Sequence, residues 1–432
     1  MTSSVDGLIS GLNTAQLISQ LMQVEAQPQT ALKDKVKTEQ TAITAYQSVN
    51  SKLAALRTAA ETLTKTATWQ AVKATSSSTA VIATATAGAP VGNSTFNVSR
   101  LARAHIVTLI ATGGAVTTGS GLDVSMGGGP PVHIVISTDT LAGVAAALNS
   151  SSLGLRASVI TTDAGSVLQV VATRTGLAGS FVVSGSASAP NVVVQGTDAQ
   201  ITLGDPAAGG YTASSPSNTF TDLVPGVTFT ATQVASDVTI SVTRDAAKIA
   251  DNMQTMVDAA NAAMTEIGTQ TDYDATTKTA SPLTGNFAVR QLEQNMLSSV
   301  SNGQTGYGSF KQLGVSLTGA GQLTFDRDAF LAAYQADPAT TQSAVTDGLA
   351  KALQSVATNA TDPVKGSITL AIQSRNDSVR SLTEEISGWD VRLQTRQDAL
   401  QRQYANLEVA LGKLKDQSSW LSGQIASLPT SG

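Results

Sequence analysis

Cysteine is absent from this 432-residue chain. That excludes a disulfide framework, a thiolate metal site and a cysteine nucleophile. Histidine occurs only twice, at His105 and His133. Neither shows the carboxylate neighbourhood a metal pair or catalytic base needs, so core or edge positions are expected for both. Aromatic residues are 4 % of the chain, too few for a sugar-stacking platform. With a formal net charge of −5 and no basic cluster interleaved with aromatics, a nucleic-acid partner is excluded. The longest apolar run, Leu141–Leu148, falls far short of the roughly 20 residues of a membrane span, so no membrane insertion is expected. The first basic side chain is Lys33, so Met1–Gly11 lacks the positive start of a secretory signal. The glycine clusters Gly113-Gly114 and Gly127–Gly129 match neither a phosphate loop nor a dinucleotide fingerprint and read as turns.

Charge is missing from the middle of the chain in particular. No Lys lies between Lys73 and Lys248, and no Glu between Glu61 and Glu266. Both residues favour helices and are depleted in strands, so this interval marks a β-rich insertion. Ten runs have strand character: Val81–Ala87, Phe96–Leu101, Ile106–Ile110, Val132–Ile136, Ala157–Ile160, Val167–Ala172, Phe181–Val183, Val192–Val194, Val227–Thr230 and Val238–Thr243. Pro225-Gly226 fits the centre of a type II turn. One helix, Leu141 to Leu148, interrupts the pattern.

Both ends carry what the middle lacks. Apolar residues from Val379 onward fall at Leu382, Ile386, Trp389, Leu393, Leu400, Tyr404, Leu407, Leu411, Leu414, Leu421, Ile425 and Leu428. Steps of three and four place them on one stripe of a helix, open to a partner helix. Gln397 carries the stripe from Leu393 to Leu400, a local eleven-residue repeat that should unwind the supercoil. A third of the residues from Arg375 to Asp416 are charged, as on a solvated helix face. Toward the other end, Ile43, Tyr46, Val49, Leu53, Leu56, Ala60 and Leu63 follow the same spacing. Asn13 can cap a first helix through Ala26 whose apolar side holds Leu17, Ile18, Leu21 and Val24, and Pro28 disfavours helix at Gln27. Further helices are expected from Asp245 to Gly268 and at about 287–300, 327–336 and 342–358. Asp272-Tyr273-Asp274 and Asp326-Arg327-Asp328 lack the Gly and distal Glu of a calcium loop and read as turns and caps. Trp69, Trp389 and Trp420 read as anchors of helix packing.

Several motifs are similar to one known family. Gly11-Leu12-Asn13-Thr14, Leu17–Met22, Glu25-Ala26-Gln27-Pro28, Ala45-Tyr46 and Lys52–Leu56 resemble the N-terminus of flagellar hook-associated protein 2, the filament cap family. Tyr273-Asp274, Pro282–Asn286, Gly314–Leu317, Gly321–Asp326, Ala336-Asp337-Pro338, Gly348–Ala350, Arg402–Glu408 and Gln417–Leu421 look like its C-terminal half, with Asn286 where the family more often has Asp. Thr140 to Ala178 resembles a repeat of flagellar axial proteins, a helix followed by a β-hairpin. The resemblance implies an α+β multidomain chain in which terminal helical, coiled-coil legs flank inserted antiparallel β-rich head domains. Legs are expected at 1–45 and 386–432, partly disordered before assembly, and a helical bundle at 46–70 and 245–385. One β-domain is expected at 71–107 and 200–244, with a second inserted at 108–199.

It implies a non-enzymatic protein without cofactors or metals, exported without a cleaved signal peptide to the extracellular flagellar tip. There it forms a homo-oligomeric ring that retains flagellin and promotes its polymerisation. Implied partners are further copies of itself, flagellin, the hook–filament junction protein, and the export apparatus with its chaperone. The residues expected to pack legs or partners are Leu17, Leu21, Tyr46, Leu53, Leu56, Leu393, Tyr404, Leu407, Leu411, Leu414 and Leu421. The rival readings are another axial junction protein and a surface adhesin that binds glycan or host protein through its β-domains.

Overall fold

A computed structural model describes residues 11, 13–205 and 208–426. Leu12 and Leu428, both used in the sequence reading, lie outside them. The fold is α+β, with long helices and antiparallel sheets. It comprises two compact units, Met1–Thr64 with Asp251–Gly432, and Lys65–Ala250.

The first unit is helical. The helix Thr14–Glu25 is capped by the Asn13 side chain, which accepts the Gln16 N–H, and a new helix, Gln27–Thr64, starts immediately beyond Ala26. Pro28 sits in its first turn, where a missing N–H costs nothing. The second helix packs against Ala350–Thr361 and against the 60-residue C-terminal helix Ser367–Ala426, which at 1.5 Å per residue is about 90 Å long. Val49, Leu53, Leu56, Ala60 and Leu63 are fully buried there, and Met253, Met256, Leu353 and Ala357 of the same unit are fully buried too. The helix Ala246–Thr271 belongs to this unit from Asp251 onward and runs past Gly268. A glycine inside a helix costs about 1 kcal/mol but does not end it. The expected helix at 342–358 is interrupted: an α-turn Pro338–Ser343 passes through a π-helical turn, Ala344–Leu349, into Ala350–Thr361. Asp326 and Asp337 are N-caps, Asp326 Oδ1 accepting from the N–H groups of Asp328 and Ala329.

The second unit holds two β cores. In one, a five-stranded sheet (Val72–Ser76, Ala235–Arg244, Gly92–Arg100, Ala199–Leu203, Tyr211–Ser215) shares its core with a three-stranded one (Thr219–Val224, Val227–Ala231, Val81–Ala85). Phe96, Phe229 and Phe220 stack through this core, with centroids 4.7 and 5.3 Å apart. Gly226 closes the Val224–Val227 hairpin at φ +71°, as the Pro-Gly pair predicts. The other core lies among a four-stranded sheet (Asn191–Val194, Ala104–Leu109, Gly165–Thr175, Leu155–Thr162), a three-stranded one (Pro131–Val135, Gly121–Met126, Phe181–Ser184) and the helix Leu141–Ser150. That helix and the following hairpin are the arrangement expected for 140–178.

All ten expected strands form. Five more strands of this unit, 72–76, 121–126, 199–203, 211–215 and 219–224, are not marked by the sequence pattern, because polar or small residues leave only short apolar runs in them.

Candidate functional site

The C-terminal helix runs antiparallel to the two N-terminal ones, and polar pairs fix the register. Arg375 donates to both carboxylate oxygens of Glu39 at 2.8 and 2.9 Å, Gln29 Nε2 donates to Asp390, and Arg396 Nε donates to Glu25 at 2.9 Å. As numbers fall along the N-terminal helices from 39 to 25, they rise along the partner from 375 to 396. The Glu39 hydrogen bond, more than its charge, holds the Arg375 pKa above its ordinary value, against desolvation. Next to this pair, Tyr46 Oη accepts from Asn286 Nδ2, the Asn that stands where the resembling motif more often has Asp.

The covered face of the C-terminal helix follows a definite spacing. Trp389, Leu393, Gln397, Leu400, Tyr404, Glu408 and Leu411 are all buried or half-buried, in steps of four, four and three repeated twice. This is an eleven-residue repeat, 3.67 residues per turn, which turns a packed seam the opposite way from a heptad. The sequence placed one such repeat across Trp389–Leu400, and the structure carries it on to Leu411. The apolar heptad Leu400, Leu407, Leu414, Leu421 therefore drifts off the covered face after its first member. Leu407 is 45 %, Leu414 61 % and Leu421 55 % exposed, and Ile425 is 62 % exposed. Glu408 is buried where the heptad alone would bury Leu407.

The eleven residues named from the sequence thus separate into groups. Tyr46, Leu53 and Leu56 are buried in the bundle. Leu393, Tyr404 and Leu411 are half-buried on the covered seam. Leu17 and Leu21 are exposed on the first helix, beside buried Ile18. Leu407, Leu414 and Leu421 line an open stripe, flanked by the exposed Val409 and Trp420. Such a stripe can do one thing chemically: bury apolar area against another helix, at about 25 cal/mol per Å² removed from water. Sequence periodicity missed Arg375 and Glu39, because a lone Arg and a lone Glu 336 residues apart leave no local signal.

Among the described residues no group of three or more His, Asp or Glu side chains is placed to hold a metal ion, and no helix is long and apolar enough to cross a membrane.

Residues 10–105 match the family model "Flagellar hook-associated protein 2 N-terminus", and residues 196–416 match "Flagellar hook-associated protein 2 C-terminus". The chain is similar to the B-type flagellar hook-associated protein 2 of Pseudomonas aeruginosa, 27 % identical with 98 % of this chain and 97 % of that protein covered. Against flagellar hook-associated protein 2 of Escherichia coli K12 it is 24 % identical, with 97 % of each chain covered. Its fold is similar to the crystal structure of the D1-D2-D3 domains of the Escherichia coli flagellar cap protein FliD. That likeness has a TM-score of 0.58 at 26 % identity and covers 77 % of this chain and 99 % of the other.

Proposed function

Because the chain belongs to the flagellar hook-associated protein 2 family of filament cap proteins, we propose that it assembles with copies of itself at the filament tip. There it retains exported flagellin and promotes its folding into the lattice. The observation that carries this reading is the open apolar stripe Leu407, Leu414, Leu421 and Ile425 at the end of a helix whose preceding half is tied to its own chain. A free amphipathic helix end can take up and release a partner helix reversibly, which suits a cap that must move as subunits are added. The task needs no covalent chemistry.

The β unit serves as the head through which protomers contact one another, in domains that follow the two cores. The hook–filament junction protein, the export apparatus and its chaperone are the further partners. The test is flagellin partitioning in a strain lacking this chain. Abundant soluble flagellin beside intact hooks, returned to filaments by adding the protein back, supports capping. Normal filaments in that strain would overturn it.

A further inference from the structure

The chain passes between the two β cores twice, at residues 103–105 and 195–198, and the turn at 176–180 packs on both passages. Arg103 and Thr197 form an isolated antiparallel bridge, the N–H of Gly176 donates to the Arg103 carbonyl at 3.1 Å, and the N–H of Leu177 donates to Asp198 Oδ1 at 2.7 Å. At the centre of this junction His105 is 2 % exposed. Its Nδ1 accepts the Gly196 N–H at 3.1 Å, and its ring meets that of Phe181 edge-on, with centroids 4.9 Å apart. A backbone N–H can only donate, so Nδ1 keeps its lone pair and the ring is neutral, with its proton on Nε2.

The junction is poorly satisfied. His105 Nε2, Ser180 Oγ and Thr197 Oγ1 are all buried without a hydrogen-bond partner. Gly196 makes the crowding possible: a Cβ there would lie 2.7 Å from Ser180 Oγ, 2.9 Å from the Gly176 carbonyl oxygen and 3.2 Å from His105 Cβ. Buried polar groups left unpaired cost free energy, so this geometry persists only while the cores on either side hold it. The charged residues on the packed segments are Arg103, Arg174 and Asp198. The Asp198 carboxylate is already taken by Leu177 N–H, and none of the three hydrogen-bonds the imidazole among the described contacts.

We propose that His105 is an acid-sensitive latch between the two β cores: on binding a second proton it releases the Gly196 amide, and the core spanning residues 104–194 loosens from its neighbour. An imidazolium has no lone pair at Nδ1 to accept that N–H, and only the Phe181 main chain is at hand to offset the burial of its new charge. Burial lowers the His105 pKa, opposed in part by the Phe181 main chain, so the latch is closed at neutral pH. The stabilisation is complete above the ordinary imidazole value of 6.5 and is lost as the pH falls below it toward the depressed folded-state value.

Hydrogen exchange on the full chain between pH 7.5 and 5, corrected for intrinsic rates, tests this directly. Protection of the amides at 195–198 should fall with acid, by up to about tenfold per pH unit below the ordinary imidazole value, while the strand Gly165–Thr175 stays protected. In His105→Asn the side-chain oxygen replaces Nδ1 as acceptor and does not titrate, so the acid dependence should vanish; His133→Asn should keep it. Should His105→Asn not fold, the His105 imidazole titration by NMR in the unaltered chain decides. A midpoint at or above the ordinary imidazole value of 6.5 would overturn the latch. Flat junction protection, or an unchanged acid dependence in His105→Asn, would equally overturn it.

Discussion

Arg375 Nη1 donates to both carboxylate oxygens of Glu39, and this ion pair helps set the register in which the last helix of the chain lies along its second. The Glu39 side chain is 20 % exposed and that of Arg375 40 %, so solvent screens the pair. Its contribution should be about 1 kcal/mol or less, the upper range for exposed pairs with good geometry. Arg375→Gln should lower the denaturant midpoint at low salt, with the deficit shrinking in 1 M salt. Equal midpoints at low salt would show that packing alone sets the register.

Leu53 and Leu414 carry similar side chains in opposite situations, one fully buried and the other 61 % exposed. Leu53→Ala should cost about 2–5 kcal/mol of stability through the cavity it leaves. Leu414→Asp with Leu421→Asp should change stability by no more than about 0.5 kcal/mol, yet abolish filament growth in a complementation assay. Normal filaments from that double variant would remove the open stripe from the mechanism.

Asn149 acts as a strand neighbour for buried Ala157. Its Oδ1 accepts the Ala157 N–H at 2.8 Å, and its Nδ2 donates to the Ala157 carbonyl at 2.9 Å. Asn149→Ala strands both backbone groups and should destabilise the β unit by about 1–3 kcal/mol. Thermal unfolding of Asn149→Ala that matches the unaltered chain would contradict this.

Asp337 caps the turn Pro338–Ser343. The Thr340 hydroxyl first, then the Thr340 and Ala339 N–H groups, lower its pKa below the ordinary 3.8. The cap's contribution is therefore present above pH 3.8 and is lost as the pH falls through the lower folded-state value. Asp337→Asn keeps an acceptor that does not titrate. It should leave stability at pH 7 nearly unchanged and flatten the acid limb of the unfolding midpoint measured from pH 4 to 2. An identical acid limb would place the sensitivity elsewhere.

Local patterning placed the helical and the β-rich regions, ten of the strands, and the apolar side of each terminal helix. These follow from local periodicity and from the 174-residue stretch free of Lys and Glu alike, and a helix face or strand alternation is a property of neighbouring residues. The Asn13 cap, the hairpin at Gly226 and the helix–hairpin run at 140–178 were legible for the same reason. Which part of the apolar stripe is covered depends on long-range packing. Leu400, Leu407 and Leu414 are indistinguishable by spacing, yet one is buried and two are open. The difference comes from a seam that turns with an eleven-residue repeat and from partners some 340 to 370 residues away, such as Arg375 with Glu39 and Arg396 with Glu25. The same holds for His105, an apolar-looking strand position in the sequence. Its neighbours Gly196 and Phe181 reach it only because two β cores fold against one junction, and no local pattern encodes that meeting.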